Sequence, residues 1–310
     1  VGYFDHPAII GAIEELGRTN PNVVVVSQDN GAGDWFEGGF PAEHFDMGIS
    51  EENLVGVGAG LAHVGKLVIV LAMAPFVSMR GFEQIRDDCA YNRNNVKIIA
   101  MFTGLEAGPW GVTHHGIEDI ALMRVIPGMT IIVPADDRDV HRAICAAGKT
   151  DGPVYLRIPG WAAEMAPLEG NDGDFTIGRA TTLREGTDLT LIATGTMVRT
   201  ALAVHDALAA DKICTRVLNM HTIKPIDHEA VVRAAQETET LLTLEEHTVI
   251  GGLGGAVAEI VAEIGSGRVV RLGIPDRFVT EIGPYPELLK LCGLDAASVE
   301  SEVRKWVISS

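Results

Sequence analysis

Asp46-Met-Gly-Ile-Ser-Glu-Glu-Asn-Leu54 runs directly into the small-residue stretch Val55-Gly-Val-Gly-Ala-Gly-Leu61. The pattern is a turn that opens a helix and sets one acid, Glu51, at the helix start. Acids at helix N-termini are ordinarily caps, favoured there by the partial positive charge of free N–H groups. Here the helix carries almost no charge before Lys66, so it reads as buried. Its glycines thin one face and let another surface approach. A carboxyl group at such an interface can share a proton with a ligand nitrogen.

On either side of this helix lie short apolar runs, Val23–Ser27 and Leu67–Leu71. Val96–Phe102, Met129–Val133 and Val154–Arg157 follow, with helical patterns at Pro7–Arg18, Glu52–His63, Phe82–Arg93, Glu118–Arg124 and Asp137–Gly148. Continuous apolar strands alternating with helices imply an α/β fold with a mostly parallel sheet. A polar, Gly- and Pro-rich stretch near Pro159–Gly173 reads as a linker. A second α/β series follows it: strands at Asp188–Ala193, Cys214–Leu218, Thr240–Leu244 and Val269–Leu272, and helices at Ala201–Ala210, Asp227–Gln236, Gly254–Ile264 and Ala297–Val307. The expectation is two consecutive domains, 1–168 and 169–310, each a mostly parallel sheet flanked by helices.

Composition narrows the functions. The chain has 310 residues, 47% apolar, with a formal net charge of -18. That argues against nucleic acid or an anionic membrane as the main partner, since both call for basic patches. Cys89, Cys145, Cys214 and Cys292 lie far apart, with no metal-ligand or redox spacing, and read as small buried hydrophobes in a reducing compartment. The N-terminus shows no basic segment followed by an apolar run, and no stretch has the length of a membrane span. A cytoplasmic protein is expected.

Ligands of parallel sheets gather beyond the strand C-termini. Asp29 and Asn30, Pro75 and Phe76, Gly104–His115 and Pro134-Ala-Asp-Asp137 all fall there. The loop from Gly104 to Gly116 holds four glycines, Trp110 and the adjacent pair His114-His115. Two histidines in a Gly-rich loop at a strand end mark a candidate site. A zinc site lacks a third and fourth ligand, so no metal ligands are assigned to this chain. Phe76, directly after a strand, can stack on a flat heterocycle; Phe82 and Phe76 both have core packing as the alternative. Arg157 ends a strand, where a cation can grip a substrate anion or form a surface ion pair. Gly251-Gly-Leu-Gly-Gly255 lacks the Lys and Ser/Thr of a phosphate loop and reads as a tight strand-to-helix turn.

Together these residues resemble the transketolase family of thiamine-diphosphate enzymes, over its pyrimidine-binding and C-terminal domains and nearly the whole chain. The family's Gly-Ile-x-Glu is matched by Gly48-Ile-Ser-Glu51, its Thr-His-x-x-Ile-Glu by Thr113-His-His-Gly-Ile-Glu118, and its Arg-x-aromatic-acid-Gln by Arg80-Gly-Phe-Glu-Gln84. Ile126-Pro-Gly-Met, Pro134-Ala-Asp, Ile223-Lys-Pro-Ile-Asp227, Glu245-Glu-His247 and Gly251-Gly-Leu-Gly254 are similar as well, in the same order. The resemblance implies that Glu51 binds N1′ of the cofactor's aminopyrimidine. It implies that Phe76 or Phe82 covers the ring, with Arg80 beside them. His114 would handle protons at substrate oxygens. His115, Arg157, Asp29 and Trp110 would line the substrate site. The implied activity is transfer of a two-carbon ketol unit from a ketose to an aldehyde.

The family's Gly-Asp-Gly followed further on by Asn, which holds Mg²⁺ and the diphosphate, is not in this sequence, and the chain starts where the pyrimidine domain should start. The resemblance therefore implies one subunit of a split enzyme. An N-terminal subunit would supply the diphosphate and metal site, in an α2β2 assembly with self-association through this chain. Three departures stand out. Trp110 occupies the position of an Asp that reads a substrate hydroxyl, Gly33 that of a serine, and His6 that of an arginine. A small-molecule sugar other than the standard pentose phosphates is expected. The β subunit of a 2-oxo-acid dehydrogenase, a carboligase similar to deoxyxylulose-phosphate synthase, and a non-catalytic scaffold are the alternatives.

Overall fold

The structure is a computed structural model that describes residues 6–28, 43–160 and 162–307. The first half runs α1 (Pro7–Thr19), β1 (Val23–Ser27), β2 (Glu43–Asp46), α2 (Glu51–His63), β3 (Leu67–Met73), α3 (Ala74–Arg80), α4 (Phe82–Gln84), β4 (Val96–Met101), α5 (Asp119–Arg124), β5 (Thr130–Ile132), α6 (Asp137–Gly148) and β6 (Val154–Arg157). The second runs β7 (Thr181–Arg184), β8 (Leu189–Ala193), α7 (Met197–Ala209), β9 (Thr215–Asn219), β10 (Thr222–Lys224), α8 (His228–Glu237), β11 (Thr240–Thr248), α9 (Leu253–Ile264), β12 (Arg268–Ile274), α10 (Tyr285–Leu291) and α11 (Ala296–Val307).

The strands form two sheets, ordered β10-β5-β6-β4-β3-β1-β2 and β12-β11-β8-β9-β7. Among the described strands, only β10 against β5 and β7 against β9 are antiparallel. Both exceptions are edge strands, so each sheet is mostly parallel, as the apolar runs require. Successive residues of β1 face opposite layers. Val26 joins Val68, Val70 and Leu54 of α2 on one side, while Val23 and Val25 join Ile69, Leu71 and Ile13 of α1 on the other. The layer containing Val26 continues into Ile192, Val231 and Ile260, so the two halves share a core. β10 reinforces this, because a strand from the second half completes the first sheet.

Two local expectations change. Phe76, directly after its strand, lies in a helix that the sequence pattern does not show: the chain passes from β3 straight into α3, with Pro75 in the first turn, where a missing N–H leaves no gap. The helix expected over Phe82–Arg93 starts as α4 and widens to a π-helical segment at Ile85–Tyr91. Two other helices begin on side-chain caps. Asp136 accepts from the Asp139 N–H at 2.8 Å to start α6, and Asp227 accepts from the Ala230 N–H at 3.0 Å to start α8.

The two halves are tied by Arg157. Its Nε donates to both Asp119 oxygens at 3.0 and 2.9 Å, and one terminal nitrogen donates to the Gly116 and Glu246 carbonyls, each at 2.9 Å. The Tyr155 hydroxyl donates to Asp119 at 2.9 Å. The side chain of Asp119 is fully buried, so Asp119→Ala strands a buried guanidinium. The expected cost is about 3–5 kcal/mol, read as a lower midpoint in chemical denaturation. Removing Glu14 from its exposed pair with Arg18 is expected to change the midpoint far less.

Candidate active site

Glu51 opens α2 and is only 3% exposed. Gly48, at φ +65°, makes the preceding turn in the left-handed region that favours glycine. The turn is held by the Gly48 N–H on Asp46 at 2.8 Å and by the Ser50 hydroxyl on the Met47 carbonyl at 2.8 Å. Both oxygens of Glu51 are engaged. Arg80, from the last turn of α3, donates to Oε2 at 3.1 Å. Gln28, just past β1, takes Oε1: with its amide nitrogen toward the carboxylate, it donates at 3.1 Å and accepts from the Met73 N–H at 3.2 Å.

A row of rings leads outward from this carboxylate. The Arg80 guanidinium lies 4.4 Å over Phe76. Phe76 meets His114 edge-on at 5.1 Å between centroids, and His114 meets Trp110 edge-on at 5.3 Å. Burial, and then the Arg80 charge, hold the His114 pKa below its ordinary value. The imidazole is therefore neutral at pH 7, able to accept a proton at one nitrogen and donate at the other.

Trp110 and His114 sit on a loop closed at its base. The Gly104 N–H donates to the Gly116 carbonyl at 2.8 Å and the Gly116 N–H returns a bond at 2.9 Å. Gly104 has φ +65°, and a Cβ there would fall 2.0 Å from Glu246, so only glycine allows this approach. Glu246 accepts from the Leu105 N–H at 2.6 Å, the Thr196 hydroxyl at 2.7 Å and the Tyr285 hydroxyl at 2.6 Å. Glu106 accepts from the N–H groups of Gly160, Ala162 and Ala163. Burial pushes its carboxyl up to about 7, against the pull of those N–H groups and with a smaller push from Glu246.

Glu51, Arg80, Phe76, His114 and Trp110 thus come together. Phe82 is half-buried against the core layer that contains α2. His115 is buried beside His114, and neither of its ring nitrogens has a partner among the described residues. Arg157, at 4% exposure, forms an interior ion pair with Asp119 and not the surface pair that was its alternative. Asp29 and Gly33 lie outside the described residues. His6 is buried 3.8 Å from Asp137. In the Gly251–Gly255 turn, Glu245 itself fills the start of α9, accepting from the Leu253 and Gly254 N–H groups at 2.7 and 2.8 Å.

Gln28, Glu106, Glu246 and Tyr285 do not stand out in the sequence as site residues. Gln28 has a signal, since it directly follows β1 at a strand C-terminus. Among the described residues, Glu15, His141 and Cys145 bring possible metal-ligand atoms within 4.8 Å of one another. His141 faces Glu15 with Nε2 and Cys145 with Nδ1, an arrangement suited to hydrogen bonding and not to one shared ion.

Comparison with known proteins gives a consistent pattern. Residues 7–161 match the family described as "Transketolase, pyrimidine binding domain", and residues 178–299 match "Transketolase, C-terminal domain". The chain is 39% identical over 293 residues to a putative transketolase C-terminal section of Methanocaldococcus jannaschii, covering 93% of this chain and 92% of that protein. It is 41% identical over 289 residues to one subunit of an apulose-4-phosphate transketolase of Phocaeicola vulgatus, covering 92% and 91%. A solved structure described as "Split gene transketolase, inactive beta4 tetramer" is similar with a TM-score of 0.88 and 40% identity, covering 97% of each chain.

The raised pKa of Glu106 has a signed consequence. The folded state keeps the Glu106 proton up to about pH 7, whereas the unfolded chain loses it near the ordinary carboxyl value. Stability from this group is therefore full below that ordinary value and declines as pH rises towards 7. Glu106→Gln does not titrate, so its melting temperature is expected to gain on the wild type between about pH 5 and 7 and hold level above. A gap independent of pH in parallel thermal melts rejects this.

Proposed function

This chain belongs to the transketolase family, and we propose that it is the subunit of a two-component transketolase that binds the aminopyrimidine end of thiamine diphosphate. The reaction is transfer of a two-carbon ketol unit from a ketose to an aldehyde. The observation that carries the reading is Glu51: a carboxylate buried at a helix start, oriented from both sides, with a row of aromatic rings leading from it to a neutral imidazole.

The donor set fits the cofactor. A buried carboxylate suits a ring nitrogen that shares a proton, and an aromatic side chain suits the face of a flat heterocycle. When bound, thiamine diphosphate supplies a carbon nucleophile and an electron sink. Glu51 would hold the aminopyrimidine nitrogen, and Gln28 would keep the carboxylate from rotating. Arg80, with its side chain 52% exposed, can turn aside while remaining the counter-charge of Glu51. Phe76 or Phe82 would cover the ring. His114 would donate to a substrate oxygen and take the proton back, a role its depressed pKa permits at neutral pH. His115 would line the same site from below.

The diphosphate and Mg²⁺ would be held by an N-terminal subunit carrying Gly-Asp-Gly and Asn, in an α2β2 assembly. The glycines of α2 support self-association, because Gly56 and Gly60 have open space where a Cβ would stand. The domains divide at 168/169. All four cysteines are free, which supports a reducing, cytoplasmic setting, but only Cys89 and Cys145 are buried as expected; Cys214 is exposed and Cys292 half-buried. Among the described residues no helix is long and apolar enough to cross a membrane.

Calorimetric titration of thiamine diphosphate and Mg²⁺ tests the proposal, using this chain alone and then with the partner subunit. Tight binding only with the partner is expected. Glu51→Gln in the assembled enzyme is expected to lower kcat by about a hundredfold or more while the fold is kept. Absence of binding with the partner present, or full activity of Glu51→Gln, defeats the reading.

A further inference from the structure

We propose that the cavity beside His114 receives an uncharged, polyhydroxylated end of the sugar, so that the substrate carries no phosphate there. This rests on the ketol-transfer reading above and names the class of its substrate. The cavity holds about 400 Å³, and its walls include Trp110, Pro109, Ala162, Pro284 and Tyr285, with Glu106 at one side. Trp110 is 41% exposed and also packs against His114, so the cavity and the proposed reacting centre share a wall.

The chemistry of those walls suits a sugar and opposes an anion. A phosphate dianion is held by charge-assisted donors, above all arginine. No Lys, Arg or His is among the described residues that line this cavity. Neither of its titratable side chains, Glu106 and Tyr285, carries a positive charge. Both Glu106 oxygens accept from the loop N–H groups of Gly160, Ala162 and Ala163, and the Tyr285 hydroxyl donates to Glu246. Glu106 also repels an anion when ionised. Indole and proline faces, by contrast, pack well on the C–H faces of a carbohydrate, an apolar contact that needs no counter-charge.

Two arginines of the first half, Arg80 and Arg157, are already engaged. Arg157 is bound inside to Asp119, and Arg80 faces Glu51. The sequence between β1 and β2 cannot supply one. Residues 29–42 contain no Lys, Arg or His and three acids, Asp29, Asp34 and Glu37. The relative in Phocaeicola vulgatus is named for a phosphorylated substrate. A neutral preference would separate this chain from it.

The test uses the assembled two-subunit enzyme with thiamine diphosphate and Mg²⁺. Consumption of hydroxypyruvate, a ketol donor that does not test the far end of the acceptor, is measured first. Failure there rejects the ketol-transfer reading and this proposal with it. With the donor step working, D-ribose is compared with D-ribose 5-phosphate as acceptor. The neutral sugar is expected to have the higher kcat/KM by at least about tenfold, roughly 1.4 kcal/mol of transition-state binding. Trp110→Lys is expected to reverse the order, while Trp110→Phe keeps it. Ribitol and ribitol 5-phosphate, which cannot accept the ketol unit, are expected to bind in the same order by calorimetry. A wild-type preference for the phosphorylated member of either pair, with the donor step intact, overturns the proposal alone.

Discussion

A guanidinium in the interior of a protein organises what surrounds it, because each donor left without an acceptor is costly there. Arg157 has that position. It takes the carboxylate of Asp119 at the start of α5, the carbonyl of Gly116 at the base of the Trp110–His114 loop, and the carbonyl of Glu246 on β11. These are a helix of the first half, the proposed active-site loop and an interior strand of the second sheet. None can shift without exposing the buried charge to an incomplete shell. The pair need not add net stability, since two charges had to be desolvated to make it. What it gives is a single arrangement of loop against both sheets. Glu246 then extends the arrangement from its side chain, through Leu105, Thr196 and Tyr285.

Glu51 is held by shorter-range means. The helix start offers it a favourable field, and Arg80 and Gln28 fix its two oxygens. Those two donors come from the ends of different elements, α3 and β1. The carboxylate is placed by topology: parallel strands bring all their C-termini to one side, and α3 begins where β3 ends there. The Phe76–His114–Trp110 row follows from the same fact, with Phe76 after β3 and the two others after β4.

The sequence made some of this legible and concealed the rest for physical reasons. β1 and β6 are readable to the residue because both are short apolar runs buried on both faces. α6 is readable from Pro134-Ala-Asp-Asp137, where Asp136 is the cap. The edge strands β2, β7 and β10 are not, since a short strand with one paired side carries little periodicity. The first turn of α3 is hidden by Pro75, a residue type that ends some elements and begins others. Glu51 and His114 stand out through local pattern. The partner of Arg157 is concealed because its acid lies on α5, well upstream, and the pairing is tertiary. Glu246 is separated from Leu105 by 141 residues, a distance no local pattern spans.

The charge on this chain is also consistent with the second subunit proposed above. Thiamine diphosphate has a neutral aromatic end and a strongly anionic end. A carboxylate and aromatic rings suit the first. For the second, a chain of net charge -18 would need a metal or a cluster of free cations at the same edge. Arg80 is paired with Glu51 and Arg157 with Asp119. The sequence between β1 and β2 adds Asp29, Asp34 and Glu37 and no base. An anion approaching this chain alone meets an acidic field and little attraction in return. In the proposed scheme the division of the cofactor between two subunits would follow from electrostatics: this surface suits the proton-sharing ring, and the proposed partner would bring the positive charge.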